Sequence, residues 1–163
     1  STKGWVLSSL NILTALIATT NMLNKKELAN IVNAIRMAEN KTSAEIRVCV
    51  AKSCKIDPLE AAYNKFVSLK MDETKLRNSV LIYVAPRDHK TAIIGDEAIN
   101  EIAKEGFWDD TLSGMITLFK SNDSICEGIC HGVEAIGELI KIHFPVSEDD
   151  INELSDEVII DED

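Results

Sequence analysis

The sequence of 163 residues predicts an α/β fold, a three-layer α/β/α sandwich around a small mixed sheet of three to four strands with one hairpin. Two strand-like segments, Glu45–Val50 and Val80–Val84, are separated by one amphipathic helical segment, which predicts a right-handed parallel crossover. A third apolar run, Thr91–Ile94, follows a polar, turn-prone break and predicts an antiparallel hairpin. Since 45% of the residues are hydrophobic and only three are proline, the composition is that of a globular domain.

Helices are predicted on both sides of these strands. Asn24, with Glu27 three residues later, has the spacing of a capping box and starts a helix that ends near Asn40. Pro58 starts the crossover helix, because proline is favoured in the first turn. Three further helices are predicted after the hairpin, at Asp96–Lys104, from Trp108 onward, and at Ser124–His143.

The first strand is expected to be incompletely covered. Ile46, Val48 and Val50 fall on one face, whereas Arg47 falls on the other. That alternation favours a strand away from the centre of the sheet, because central strands of α/β proteins are apolar on both faces.

The net charge of −10 comes mainly from the C-terminal tail. Residues 147–163 contain nine acidic residues and no lysine or arginine, so the rest of the chain carries 18 acidic and 17 basic residues. A basic surplus is therefore missing, and nucleic acid is excluded as an expected partner. We interpret residues 146–163 as a solvated acidic tail, with a docked helix at Glu148–Leu154 or a segment that binds a protein partner as alternatives.

The N-terminal residues 1–23 form a separate apolar segment. No charge interrupts Trp5–Leu23, a length that could cross a bilayer, although its serine, threonine and asparagine residues make it a poor membrane span. Three interpretations remain open: an apolar helix that docks or self-associates, a membrane anchor or uncleaved signal, and an irregular tail. Contact with a membrane is expected only through residues 5–23.

The four cysteines predict buried or half-buried thiols. Cys126 and Cys130 are four residues apart on one helix, a separation that is unsuitable for a disulfide. A zinc site with His131 would lack both the usual spacing and a second half. A reducing compartment, and hence the cytoplasm, is the simpler expectation.

Five acidic residues lie at the ends of predicted elements and are the candidate metal ligands: Glu45, Asp96, Glu97, Asp109 and Asp110. Oxygen ligands without histidine favour Ca²⁺ or Mg²⁺ over zinc. The alternative is that Asp96, Asp109 and Asp110 only cap helices or complement helix dipoles. Sequence motifs of P-loop proteins, serine hydrolases, zinc proteases and cysteine-dependent phosphatases are absent from the chain.

Between Asn24 and Pro145 the sequence resembles the TPM domain family, which includes the thylakoid acid phosphatase of plants and short soluble bacterial proteins. The resemblance depends on the order of several short motifs: Ser43-Ala44-Glu45-Ile46, Asn78-Ser79-Val80-Leu81-Ile82, Ile94-Gly95, Asp109 or Asp110, Phe119-Lys120 through Asp123 with Gly128, and Phe144-Pro145. It implies a domain at residues 24–145 with an α/β/α sandwich and a divalent-cation site, for which calcium is the expected ion.

The chain departs from the family pattern in two places. The apolar stretch replaces an aspartate-containing segment before the first helix, and Gly95-Asp96-Glu97 replaces a glycine-rich sequence after the hairpin. Asp96 and Glu97 are therefore the expected replacements for missing metal ligands. Three functions follow: a calcium-binding domain with a regulatory or assembly role, a low-specificity metal-dependent phosphatase for phosphomonoesters, and an interaction module that uses the N-terminal helix.

Overall fold

A mixed β-sheet forms the middle layer of the protein. The computed structural model describes residues 23–122, 124–146 and 158–161. In these ranges the sheet has four strands in the order β3-β2-β1-β4. The strands are β1 at Glu45–Ala51, β2 at Ser79–Ala85, β3 at Lys90–Gly95 and β4 at Val158–Asp161. β1 is parallel to β2, and β2 pairs with β3 in an antiparallel hairpin, as predicted. β1 is also parallel to β4, a pairing that the sequence did not predict.

Five α-helices occur in the described ranges: α1 at Lys25–Glu39, α2 at Pro58–Ser68, α3 at Glu97–Ile102, α4 at Phe107–Asn122 and α5 at Ile125–His143. Their starts agree with the local sequence signals. The capping box of Asn24 and Glu27 is present, Asp57 caps α2 immediately before Pro58, and Ser124 caps α5.

Two apolar clusters cover the two faces of the sheet and confirm the α/β/α sandwich. The first core cluster joins α1, α4 and α5 to one face, through residues such as Ile35, Phe119 and Ile136. The second core cluster joins α2 to the other face and includes Phe66 and Tyr83. Alternate residues along each strand enter alternate clusters, as the period of a strand requires.

The prediction that β1 is incompletely covered is wrong. β1 lies between β2 and β4, and all seven of its residues are buried, including Arg47 at 9% exposure. The alternation at Arg47 was misleading because the partner on the outer side of β1 is β4, which comes from the acidic tail more than a hundred residues later. Pairing at that separation leaves no local signature in either strand.

Several sequence-based expectations fall outside the described residues. Residues 1–22 include nearly all of the apolar N-terminal segment, and residues 147–157 include the helix expected at Glu148–Leu154. Within the described ranges, the structure contains no helix that combines the length and the apolar character needed to cross a membrane. The four cysteines are free thiols, three of them buried and Cys130 half-buried, as expected.

Candidate functional site

Two of the predicted acidic residues lie at one edge of the sheet, buried at the ends of neighbouring strands. Glu45 is the first residue of β1 and pairs with Ser79, the first residue of β2. Asp96 follows the last residue of β3, and its backbone N–H donates to the Ser79 carbonyl at 2.9 Å. We call Glu45, Ser79 and Asp96 the acidic edge. Since adjacent strands are about 4.8 Å apart, the two acidic residues are separated by roughly 10 Å across the sheet.

Asp96 is held by an arginine and by a helix terminus. Arg77 donates from Nε to Oδ2 at 2.8 Å and from Nη2 to Oδ1 at 2.9 Å. Asp96 is also the N-cap of α3, and its Oδ1 accepts from the Glu97 backbone N–H at 2.8 Å. Asp96 is therefore an N-cap of α3, as one of the two interpretations expected. Three accepted hydrogen bonds leave little of this carboxylate available for another ligand.

The turn before β2 fixes the position of Arg77. Its backbone is left-handed, with φ of 51°, an uncommon conformation for a non-glycine residue. Its carbonyl accepts from the Ala98 backbone N–H at 3.0 Å. The hydrogen bonds that the Arg77 guanidinium donates to Asp96, followed by the charge of that carboxylate, raise the pKa of Arg77. The Glu97 side chain is 70% exposed, and its Oε1 lies 3.7 Å from Arg77 Nη2. Glu97 therefore contributes a negative charge at the solvent-exposed rim of the site.

Asp109 and Asp110 do not join the acidic edge. Both are exposed in the first turn of α4. The neighbouring Trp108 packs in the first core cluster against Gly95, where an added Cβ would be 2.8 Å from Trp108 Cζ2. Strand alternation directs Glu45 to the opposite face of the sheet, with Cys49 of the second core cluster.

The five predicted acidic residues are therefore divided between the two sides of the sheet. Over the described part of the chain, His, Cys, Asp and Glu side chains form no group of three or more that could hold a metal ion. A cation here would have to take part of its coordination from backbone carbonyls, neutral side chains or water.

The segment between α2 and β2 contains buried polar atoms that sequence reasoning missed. Asp72 Oδ1, Thr74 Oγ1 and Asn78 Nδ2 are buried and make no hydrogen bond. Trp108 Nε1, beside the end of β3, is also buried without a hydrogen bond. Buried polar atoms are nearly always satisfied in native proteins, by water or a ligand if not by protein. The only local signal was the polar run that precedes β2.

Asp72, which follows Met71 of the second core cluster, extends the acidic edge on the side of α2. Ser79 Oγ donates to the Met71 carbonyl at 2.5 Å, which holds the start of this segment against the first residue of β2. The negative charge of Asp72 also raises the pKa of Arg77, although less than Asp96 does. The acidic edge and its surroundings therefore combine carboxylates, the guanidinium of Arg77 and neutral polar groups.

Comparison with known proteins supports the resemblance in the sequence. The sequence model of the TPM domain family matches residues 16–139 of this chain. This chain belongs to the TPM domain family. The BA42 protein from the psychrophilic bacterium Bizionia argentinensis, solved by NMR, is similar, with 40% sequence identity and a TM-score of 0.77 over 86% of this chain and 96% of that chain.

A second solved structure shares the fold. It is the N-terminal domain of the cg2496 protein from Corynebacterium glutamicum, with 16% identity and a TM-score of 0.60 over 78% of this chain and 80% of that chain. No curated protein matches the sequence. The acidic edge lies within the matched part of the TPM domain, whereas β4 lies beyond its end at residue 139.

Proposed function

We propose that this TPM domain binds a divalent cation, calcium in the first instance, at the acidic edge and has a regulatory or assembly role. The observation that carries the proposal is the buried Asp72 Oδ1, which makes no hydrogen bond and lies in the segment that packs against the edge. A buried carboxylate oxygen without a donor is unfavourable, and a cation would satisfy it.

The ligand set follows from the burial of these side chains. Glu45 and Asp96 are 4% and 6% exposed at the same edge, and both offer carboxylate oxygens. Calcium accepts six to eight oxygen ligands, which include backbone carbonyls and water, so a site with few carboxylates is consistent with its coordination chemistry. We assign Glu45 and Asp72 as inner ligands together with backbone carbonyls and water, and Asp96 as a ligand that the cation gains when it displaces Arg77.

The remaining predicted ligands are exposed. Glu97, Asp109 and Asp110 would act at the rim through water or through their charge, because none of them is buried beside Glu45. Arg77 opposes a cation electrostatically and also competes for Asp96. Cation binding is therefore expected to weaken the Arg77–Asp96 ion pair.

Calcium titration followed by backbone amide NMR tests the proposal. We expect saturable shifts at residues 45, 71–79 and 95–97 that disappear in Glu45→Gln and in Asp72→Asn. Glu134→Gln is the matched control, because Glu134 is exposed on α5, away from the acidic edge. Flat spectra at millimolar calcium and magnesium, or equal shifts in all three variants, would exclude the site.

A second candidate function is hydrolysis of phosphomonoesters. The observation that favours it is Arg77, a 40% exposed guanidinium beside the acidic edge that could bind phosphate oxygens. Turnover of p-nitrophenyl phosphate that requires calcium or magnesium and falls in Arg77→Lys would support this function. Turnover that is unchanged in Arg77→Lys would count against it, since lysine retains the charge but not the planar fork.

A further inference from the structure

The outer edge of the central strand β1 is occupied by a short strand from the C-terminal tail. β4 is parallel to β1, with Val158 opposite Val48 and Asp161 opposite Ala51. The pairing continues for one further hydrogen bond, from the Lys52 backbone N–H to the Asp161 carbonyl at 2.8 Å. The tail therefore pairs with β1 along Val48–Ala51, whereas nearer the start of β1 the Ile46 backbone N–H donates to Glu39 Oε2 at 2.9 Å.

The four side chains of β4 have four different surroundings. Val158 packs against the first core cluster and Ile159 against the second, whereas Ile160 is 38% exposed. Asp161 Oδ2 accepts from Lys65 Nζ on α2 at 2.9 Å, and these side chains are 17% and 26% exposed. The edge of β1 thus favours an extended segment in which apolar residues are followed by a carboxylate.

β4 is shorter and less buried than the other three strands. It has four residues, none of them fully buried, and it lies beyond residue 139, where the family match ends. Residues 147–157 connect it to the rest of the chain. A strand of this length makes few ladder hydrogen bonds, and regions with few buried contacts open at low free-energy cost.

We propose that the outer edge of β1 is a binding site for an extended peptide in which apolar residues are followed by Asp or Glu. The chain's own β4 occupies this site until a partner segment of the same chemistry displaces it. The charge complementarity between Lys65 and the carboxylate at the position of Asp161 carries this assignment. Main-chain hydrogen bonds to β1 supply affinity, as in other cases of strand addition to a sheet edge. The proposal is independent of cation binding.

The test uses the full chain with a protease recognition sequence placed within residues 147–157 and cleaved after folding. The probe is a fluorescent peptide with the sequence of residues 154–163, and its binding is followed by anisotropy. We expect the peptide to exchange into the cleaved protein and to bind the uncleaved protein far more weakly, because a tethered β4 competes at a high effective concentration.

Substitutions identify the contact. Lys65→Gln is expected to weaken binding roughly three- to tenfold, since the ion pair is only partly exposed. A peptide with Asp161→Asn should lose a similar amount of binding affinity. Combining this peptide with the Lys65→Gln protein should cause no further loss, because both changes remove the same ion pair. Lys104→Gln is the matched control, because Lys104 is exposed after α3, next to the opposite edge of the sheet.

Three outcomes would overturn the proposal. The first is no binding to the cleaved protein, and the second is equal binding to the cleaved and uncleaved proteins. The third is an affinity that does not change in Lys65→Gln. Sedimentation velocity of the uncleaved chain separates a fourth outcome: a dimer that dissociates in Lys65→Gln would mean that two copies exchange β4 and that the edge is not a site for a separate partner.

Discussion

Arg77 and Asp96 form a two-point ion pair that joins the turn before β2 to the helix after β3. Nε and Nη2 of Arg77 donate to the two carboxylate oxygens at 2.8 and 2.9 Å. The Ala98 backbone N–H donates to the carbonyl of the same arginine. The left-handed backbone of Arg77 is unfavourable for a residue with a side chain, and these contacts offset that cost.

Substitution of Asp96 should separate the cap from the ion pair. Asp96→Asn keeps a side-chain oxygen for the Glu97 backbone N–H but removes the charge, whereas Asp96→Ala removes both contacts. We expect Asp96→Ala to lower the free energy of unfolding by about 1 kcal/mol more than Asp96→Asn, the usual contribution of an N-cap. Urea denaturation measures both. The loss caused by Asp96→Asn should also shrink in an Arg77→Lys background, and equal losses in the two backgrounds would contradict the pairing.

Two glycines at the contact of α4 with α5 should respond differently to alanine. A Cβ on Gly128 would lie 2.2 Å from Phe119 Cε1 and 2.8 Å from the Met115 carbonyl oxygen, both in the interior. A Cβ on Gly114 would meet the ring of His131, which is exposed and can rotate away.

We therefore expect Gly128→Ala to destabilise the protein by about 1–3 kcal/mol, the usual cost of overpacking. Gly114→Ala should be neutral, or stabilising by up to about 1 kcal/mol through its helix propensity. Thermal and urea denaturation of the two variants give the comparison. Similar losses at both positions would mean that the α4–α5 contact tolerates no added methyl group on either helix.

The thiol of Cys49 should make stability depend on alkaline pH. Burial raises its pKa from 9.0 to about 12; Asp161 raises it further, and Lys65 and Arg47 oppose the shift. The unfolded chain loses this proton near pH 9, whereas the folded chain keeps it, so the free energy of unfolding should fall as pH rises above 9. The free energy of unfolding of the Cys49→Ala variant should fall less steeply than that of the unsubstituted protein between pH 8.5 and 10.5. The two proteins should have the same slope from pH 6 to 8, where the thiol is protonated in both states, and identical slopes at alkaline pH would exclude the effect.

Cys49 also reports on β4, because Ile159 is its partner in the ladder. Ile159→Ser should weaken the docking of β4 and increase the rate of Cys49 alkylation by on the order of tenfold, through more frequent opening of the edge. Ile160→Ser is the matched control, since Ile160 is 38% exposed. Mass spectrometry of the peptide that contains Cys49 measures the rate. The same rate in both variants would mean that β4 does not protect this thiol.

Local patterns predicted much of the fold. The caps at Asn24, Asp57 and Ser124 were readable because a cap is made by residues that are adjacent in sequence. The parallel pair of β1 and β2 followed from one crossover helix, and the hairpin followed from a short polar break. The TPM domain family was also identifiable from short motifs in the correct order.

The candidate site was only partly predictable. Glu45 and Asp96 were selected because they lie at element ends, and the structure places them at one edge of the sheet. Asp109 and Asp110 were selected for the same reason, but Gly95 and Trp108 direct them to the other side. Arg77, Asp72 and Asn78 were missed as members of the site, because a polar run before a strand does not indicate which side chains become buried.

Local sequence patterns are sufficient to predict the five described helices, three of the four strands and the family, since these depend on the periodicity and capping of neighbouring residues. The central position of β1, the completion of the sheet by β4 and the ion pair of Arg77 with Asp96 are visible only in the folded protein. Each of these depends on a contact between residues from separate segments, 19 positions apart for Arg77 and Asp96 and more than a hundred for β1 and β4. Such contacts are selected by the burial and pairing of the whole fold, which local patterns do not encode.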